Sequence, residues 1–302
     1  CYKRNTAGGG CATNGTQPRA AVLQTEHSRG RLCYKRIQTT NSGLSWKGPR
    51  VSRFRDYVPC GVIPAAITVF RDGYGIDEKP TRRHFRFLAE VRGVAALTVN
   101  GHAAEVHALD PDEQERLLAA AADEVGDRTP LVCGVYADGS LQAARIARMA
   151  RRCGASALLV FPPNSTAMGG QLRPEMALAH YGCIADAVDL PLILFQYPLG
   201  TGLGYPFETV MRLVERIPTI RAMKDWCNDP MLHEKHTRAL QALPRPVNML
   251  STHSSWLLSS LVMGAKGLLS GAGSVIADMQ AALFEAVQAG DLPLARKIND
   301  LM

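Results

Sequence analysis

Residues 130–164 read PLVCGVYADGSLQAARIARMARRCGASALLVFPPN. Two short apolar runs, PLVCGVY (130–136) and ASALLVF (155–161), flank a helical pattern, LQAARIARMARRC (141–153). Apolar runs of this length without alternation are strands buried on both faces. The helix between them meets Gly154, the residue type most often found just past a helix end. The local unit is therefore strand, helix, strand.

The same unit repeats in both directions along the chain. Further strand-like runs stand at 61–70 (GVIPAAITVF), 93–99 (GVAALTV), 190–197 (LPLILFQY), 219–224 (TIRAMK), 246–250 (PVNML) and 265–270 (AKGLLS), which brings the total to eight. Asp110, Pro111 and Glu113 supply an N-cap, a first-turn proline and a capping-box acid ahead of EQERLLAAAADEV, and Asp229 with Pro230 repeats that start before MLHEKHTRALQAL. Eight alternations over about 245 residues predict a (β/α)8 TIM barrel of the α/β class. An open doubly wound sheet would want a Gly-rich phosphate turn after an early strand, and RDGYGID (71–77) lacks the third glycine.

Composition narrows the function. The chain has 302 residues, 46% hydrophobic and 20% charged, and its strongest apolar run, 155–163, is well short of the roughly 18 residues that a membrane span needs. No membrane association is expected. The formal charge of +7 is unevenly placed: residues 1–57 carry 11 Lys and Arg against 2 Asp and Glu, and the remainder 23 against 25. Those tail cations are scattered without aromatic interleaving, so nucleic-acid binding is not expected either. The tail has no period, begins with Cys and repeats CYKR at Cys1 and Cys33. It is predicted to be a disordered extension, non-native in origin, with the barrel over 58–290 and the start of a truncated C-terminal helical region at 291–302. None of the eight cysteines has a partner at knuckle or dithiol spacing, so no metal site is expected, and Cys133, Cys153 and Cys183 read as buried thiols of a cytoplasmic protein.

In such a barrel chemistry gathers at the C-terminal ends of the strands. Those ends are residues 100–105, Tyr136, Asn164, 195–197, 224–226, 251–254 and 270–274. Lys224 closes an apolar strand there. A lysine in that place either snorkels to water or a carboxylate, or it serves as a nucleophile, for which its amine must be neutral.

The chain from about residue 58 resembles the dihydrodipicolinate synthase and N-acetylneuraminate lyase family of class I aldolases. The resemblance is carried by GVIPAAITVFRDGYGID, VNGHAAEVHALDPDEQERL, GASALLVFPPN, LPLILFQYPLGTG, IRAMKDW and MGAKGLLSGAGSV, in order along the whole barrel. It implies a Schiff base between Lys224 and pyruvate or another small 2-oxo acid, no cofactor, and a homo-oligomeric assembly. It also implies a substrate pocket that includes Gly101, His102, Ala103, Phe195, Trp226, Ser270 and Gly271.

The departures are informative. The family's second-strand loop, Gly-Thr-Thr-Gly-Glu, is here Gly101-His102-Ala103-Ala104-Glu105: the amides that hold the substrate carboxylate survive, the threonine relay is lost, and His102 is a new titratable group. The family's fifth-strand tyrosine aligns with Phe195, and Tyr197 lies two residues on, facing the same side of the strand. The synthases' arginine corresponds to Gly200 and their interface aromatic to Pro163 or Asn164, which argues against dihydrodipicolinate synthase activity itself. The leading expectation is a lyase with Lys224 as nucleophile and Tyr197 or His102 moving protons. The alternative is a barrel that binds a 2-oxo acid without turning it over. His233 and His236 are expected to be exposed helix residues, and the loop 270–274 to open the pocket.

Overall fold

The structure, a computed structural model, describes residues 52–54 and 56–302. Its strands are β1 (Gly61–Pro64), β2 (Leu97–Val99), β3 (Leu131–Val135), β4 (Ala157–Val160), β5 (Leu192–Gln196), β6 (Ile220–Asp225), β7 (Asn248–Ser251) and β8 (Gly267–Ser270). All pairs are parallel, and from β2 onward each strand pairs with the next. β1 pairs with β8, while the bridges Val62–Val94 and Ala65–Thr98 close the seam between β1 and β2. The architecture is the (β/α)8 barrel that the alternation predicts.

The helices are α1 (Glu78–Glu90), α2 (Pro111–Val125), α3 (Ser140–Arg152), α4 (Pro174–Ala185), α5 (Phe207–Arg216), α6 (Pro230–Gln241), α7 (Leu257–Val262), α8 (Gly273–Gln288) and α9 (Leu292–Asn299). Their starts follow the local chemistry. Asp110 accepts from the Glu113 amide at 2.7 Å while the Glu113 carboxylate accepts from the Asp110 amide at 3.1 Å, a complete capping box for α2. Asp229 accepts from the amides of Met231 and Leu232 to start α6. Beyond α3, Gly154 takes φ +92°, as its position past the helix end requires.

Strand alternation sorts the apolar side chains into two cores. Ile63, Val132, Leu159, Ile193, Ala222 and Leu250 belong to the cluster inside the ring. Their strand neighbours Val62, Leu131, Leu158, Leu192 and Met223 join the larger cluster beneath the helices. In β6 this puts Lys224 inward and Asp225 outward.

Four expectations change. The run at 61–70 is regular strand only over Gly61–Pro64; Ala65 and Ala66 still donate to the Ser270 and Thr98 carbonyls, and the chain beyond them runs out to the Phe70–Ile76 bridge. His233 and His236 are fully buried rather than exposed, because their spacing of three sets both on the face of α6 that also carries Thr237 and Leu240. Cys133 and Cys153 are buried, but Cys183 on α4 is only half-buried. Finally, part of the expected tail touches the barrel: Ser52 and Ser156 share a hydroxyl hydrogen bond at 2.8 Å, and Tyr57 packs against the inner cluster. The remainder of that assignment, 1–51 and Arg55, lies outside the described residues. Among the described residues no helix is long and apolar enough to cross a membrane.

Gly134 in β3 connects fold to site. A Cβ there would overlap the Asn100 carbonyl oxygen and stand 3.2 Å from the Phe161 ring. Gly134→Ala should therefore cost about 1–3 kcal/mol in urea denaturation, the usual range for overpacking, and should displace the loop that follows β2. An unchanged midpoint would show that this close approach is not a constraint.

Candidate active site

The mouth of the barrel holds a cavity of about 240 Å³ lined by Ala65, Gly101, His102, Ala103, Leu159, Phe195, Lys224, Trp226, Thr252 and Gly271. Lys224 enters from β6 and is only 5% exposed. Its Nζ lies 4.0 Å from the Phe195 ring centroid, and among the described residues no carboxylate pairs with it. Burial lowers its pKa from 10.5 to about 7. Desolvation disfavours the ammonium, and with no anion to oppose that effect the neutral amine is substantially populated near neutral pH.

The loop after β2 is shaped by two left-handed residues, Asn100 (φ 56°) and Glu105 (φ 56°). Asn100 is fully buried and donates through Nδ2 to the Gln114 carbonyl at 2.9 Å, which fixes the exit from β2. Between these two residues His102–Ala104 forms a single 3₁₀ turn capped by Gly101. The amides of Ala104 and Val106 both bond back to the Gly101 carbonyl, whereas those of His102 and Ala103 have no acceptor among the described residues. Unpaired donors at the start of such a turn suit an anion.

Aromatic rings continue the wall. Phe161, Phe195 and Tyr197 follow one another at centroid distances of 5.3 and 4.6 Å, and Trp226 meets Tyr197 at 5.5 Å. The Tyr197 hydroxyl and His102 Nε2 are 2.9 Å apart. Burial lowers His102 to about 4, with Lys224 and His107 adding to the effect, and burial raises Tyr197 above its ordinary value. Both groups are therefore neutral at pH 7, and the phenol can donate to the imidazole. The two residues that the sequence offers as alternatives form one pair.

Of the predicted site residues, Gly101, His102, Ala103, Phe195, Lys224, Trp226 and Gly271 line the cavity. Tyr197 does not line it and reaches it through His102. Ser270 does not line it either: its hydroxyl accepts from Gln280 at 3.1 Å and its carbonyl accepts from the Ala65 amide. Ala65, Leu159 and Thr252 were not among the predicted residues. Thr252 sits just past β7, within the strand-end set, so position alone pointed to it; Ala65 and Leu159 carry no chemical signal.

The buried amine has a measurable energetic signature. Unfolded, Lys224 holds its proton up to about 10.5; folded, it releases it near 7. Between those values the unfolded chain binds the extra proton, so stability rises with pH. Lys224→Met should be more stable than the parent at pH 6, by an amount on the order of 5 kcal/mol at most. That advantage should shrink from pH 7 to pH 10. An equal gap at both ends of the range would show that the amine keeps an ordinary affinity for its proton.

Comparison with known proteins agrees with this geometry. The model of the dihydrodipicolinate synthetase family matches residues 59–302. An uncharacterized DapA-like lyase of Halobacterium salinarum is 33% identical over 239 residues, covering 78% of this chain and 74% of that protein. A 4-hydroxy-tetrahydrodipicolinate synthase of Methanopyrus kandleri is 29% identical over 240 residues, 79% of this chain and 77% of its own. The structure of an E. coli K12 prophage protein of the dihydrodipicolinic acid synthase family, in complex with pyruvate, superposes with a TM-score of 0.74 at 22% identity and covers 80% of this chain and 79% of that one. With a barrel of this topology and a match over nearly all of it, the chain belongs to the dihydrodipicolinate synthetase family, a family of class I aldolase-type lyases.

Proposed function

We propose that this protein is a lyase that forms a Schiff base between Lys224 and the carbonyl carbon of a small 2-oxo acid. The observation that carries this reading is the inward-facing amine of Lys224, buried at the cavity without a carboxylate partner. The neutral amine attacks the carbonyl carbon, and the resulting carbinolamine loses water. The protonated imine then withdraws electrons from the neighbouring carbon, which permits carbon–carbon cleavage or condensation, or loss of water one position further on. The free amides of His102 and Ala103 anchor the substrate carboxylate.

Expulsion of water needs a proton donor, and Phe195 has none. The Tyr197–His102 pair supplies it from the side, with His102 at the cavity and the phenol behind it. Apart from Lys224, whose amine is the reacting group, the cavity lining holds no Lys or Arg, so a second substrate or leaving fragment that carries its own carboxylate finds no counterion here. An uncharged or apolar partner suits the walls formed by Trp226, Phe195 and Leu159. The pyruvate bound to the E. coli relative supports the choice of a 2-oxo acid.

Incubation with pyruvate and borohydride should give one covalent adduct per chain, mapping to Lys224 and absent in Lys224→Arg. An adduct that persists in that variant would overturn the assignment. The rate of trapping should rise about tenfold per pH unit below the amine's value of about 7 and level off above it, because only the unprotonated amine attacks. A rate still climbing steeply at pH 9 would contradict a lowered amine. Tyr197→Phe and His102→Ala should each slow adduct formation by about tenfold or more, and the double variant little more than the worse single one, as expected of a relay. Additive losses would separate the two roles. Adduct formation without turnover across a panel of 2-oxo acids would favour binding without catalysis.

A further inference from the structure

On the far side of β6 from the cavity lies a second cluster with its own chemistry. Asp225 and His233 are fully buried, Cys227 is 4% exposed and His253 6%. They come from the end of β6, the loop after it, α6 and the loop after β7, and each offers a donor atom within 4.8 Å of the others. Asp225 Oδ2 meets His233 Nδ1 at 2.6 Å and Cys227 Sγ at 3.4 Å. His233 Nε2 meets Ser260 Oγ at 2.7 Å. His253 Nε2 is buried with no hydrogen-bond partner.

Asp225, His233 and Ser260 follow one another like the triad of a hydrolase, but Ser260 is fully buried and no substrate reaches it. The unpartnered imidazole nitrogen and the adjacent thiol point to different chemistry. We propose that Asp225, Cys227, His233 and His253 form a tetrahedral site for a zinc-class divalent cation.

The donor set is one sulfur, two imidazoles and one carboxylate, which suits a borderline-soft ion and not magnesium or calcium, whose ligands are oxygens. On binding, the Cys227 thiol releases its proton to bulk water and the thiolate sulfur coordinates the metal. The His233 proton moves from Nδ1 to Nε2, where Ser260 accepts it, leaving Nδ1 as the ligand. Ser260 thereby orients the imidazole in the manner of the outer partners of metal-bound histidines. Thiolate and carboxylate together cancel the two positive charges, so the filled site is neutral, as a buried location demands. Tetrahedral zinc at roughly 2.0–2.3 Å from each donor sets donors about 3.3–3.8 Å apart. The present spread of up to 4.8 Å therefore closes by about an ångström.

The absence of a cysteine knuckle in the sequence does not bear on this site, because its ligands come from four separate segments: the end of β6, the loop after it, α6 and the loop after β7. Trp226 stands between two of them, so the ion would pin the residue that walls the catalytic cavity.

The test uses the full chain, stripped of metal and titrated with cobalt(II) and then with zinc(II). One equivalent of cobalt should bind and give the intense visible bands of a tetrahedral ion together with a near-ultraviolet thiolate band. Zinc should displace it. Cys227→Ser should remove the thiolate band, His253→Ala should weaken binding by tenfold or more, and Cys60→Ser, at an exposed thiol outside the cluster, should change neither. Absence of stoichiometric cobalt binding to the parent chain, or a thiolate band that survives Cys227→Ser, would overturn the site. Should either ligand variant fail to fold, zinc-edge X-ray absorption of the unmutated chain still decides: one sulfur among four ligands supports the site, and a shell with no sulfur or with several refutes it. Borohydride trapping at Lys224 reads a different group, so either proposal can fail alone.

Discussion

An amine in an apolar barrel is the constraint on which the site depends. Water would hold a proton on Lys224 up to about pH 10.5; the interior formed by Leu159, Phe195 and Trp226 supplies no substitute for that hydration. A paired carboxylate would relieve that cost and keep the proton on the amine. The polar groups near Lys224 are accordingly ones without charge: backbone amides, a threonine hydroxyl, and an imidazole that the same burial keeps neutral. The chemistry of the cavity follows from what has been kept out of it.

β6 illustrates how little sequence separates two environments. Lys224 and Asp225 are adjacent, yet the pleat sends one into the ring and the other beneath α6 and the loop after β7. The carboxylate that could neutralise the lysine is thereby turned away and held by His233, along with the amide and thiol of Cys227. Burial pushes Asp225 toward its protonated form, but the hydrogen bond and charge of His233, helped by His236 and His253, outweigh it and hold the carboxyl below its ordinary value. A one-residue slip in the register of this strand would exchange the two side chains and abolish both arrangements.

The barrel was legible because each of its signals is local. Asp110 and Glu113 announce a helix start within four residues, Gly154 a helix end within one, and the buried strands are continuous apolar words. Lys224 was legible for the same reason, as a charge closing such a word. Contacts that span the ring were not. His102 and Tyr197 are 95 residues apart, and only the closed sheet brings their side chains to hydrogen-bond distance. His233 and His236 read as solvent-facing residues because nothing near them in the chain shows that α6 turns that face toward Asp225 and the Phe207 ring. Ser270 failed in the opposite sense: it lies where a ligand group belongs, but Gln280 from α8 had already claimed its hydroxyl.

The turn between Asn100 and Glu105 has a wider consequence. Its path is set by two residues in left-handed conformation and by the Gly101 carbonyl, none of which depends on the side chains at 102–104. That stretch behaves as an interchangeable cartridge between two fixed pegs. The free amides belong to the backbone of the cartridge and the titratable imidazole to a side chain, so selection can rewrite the second while inheriting the first. A histidine at position 102 is then an ordinary step in diversification, and a library randomised at these three positions would vary the titratable groups over a pair of free amides that stays in place.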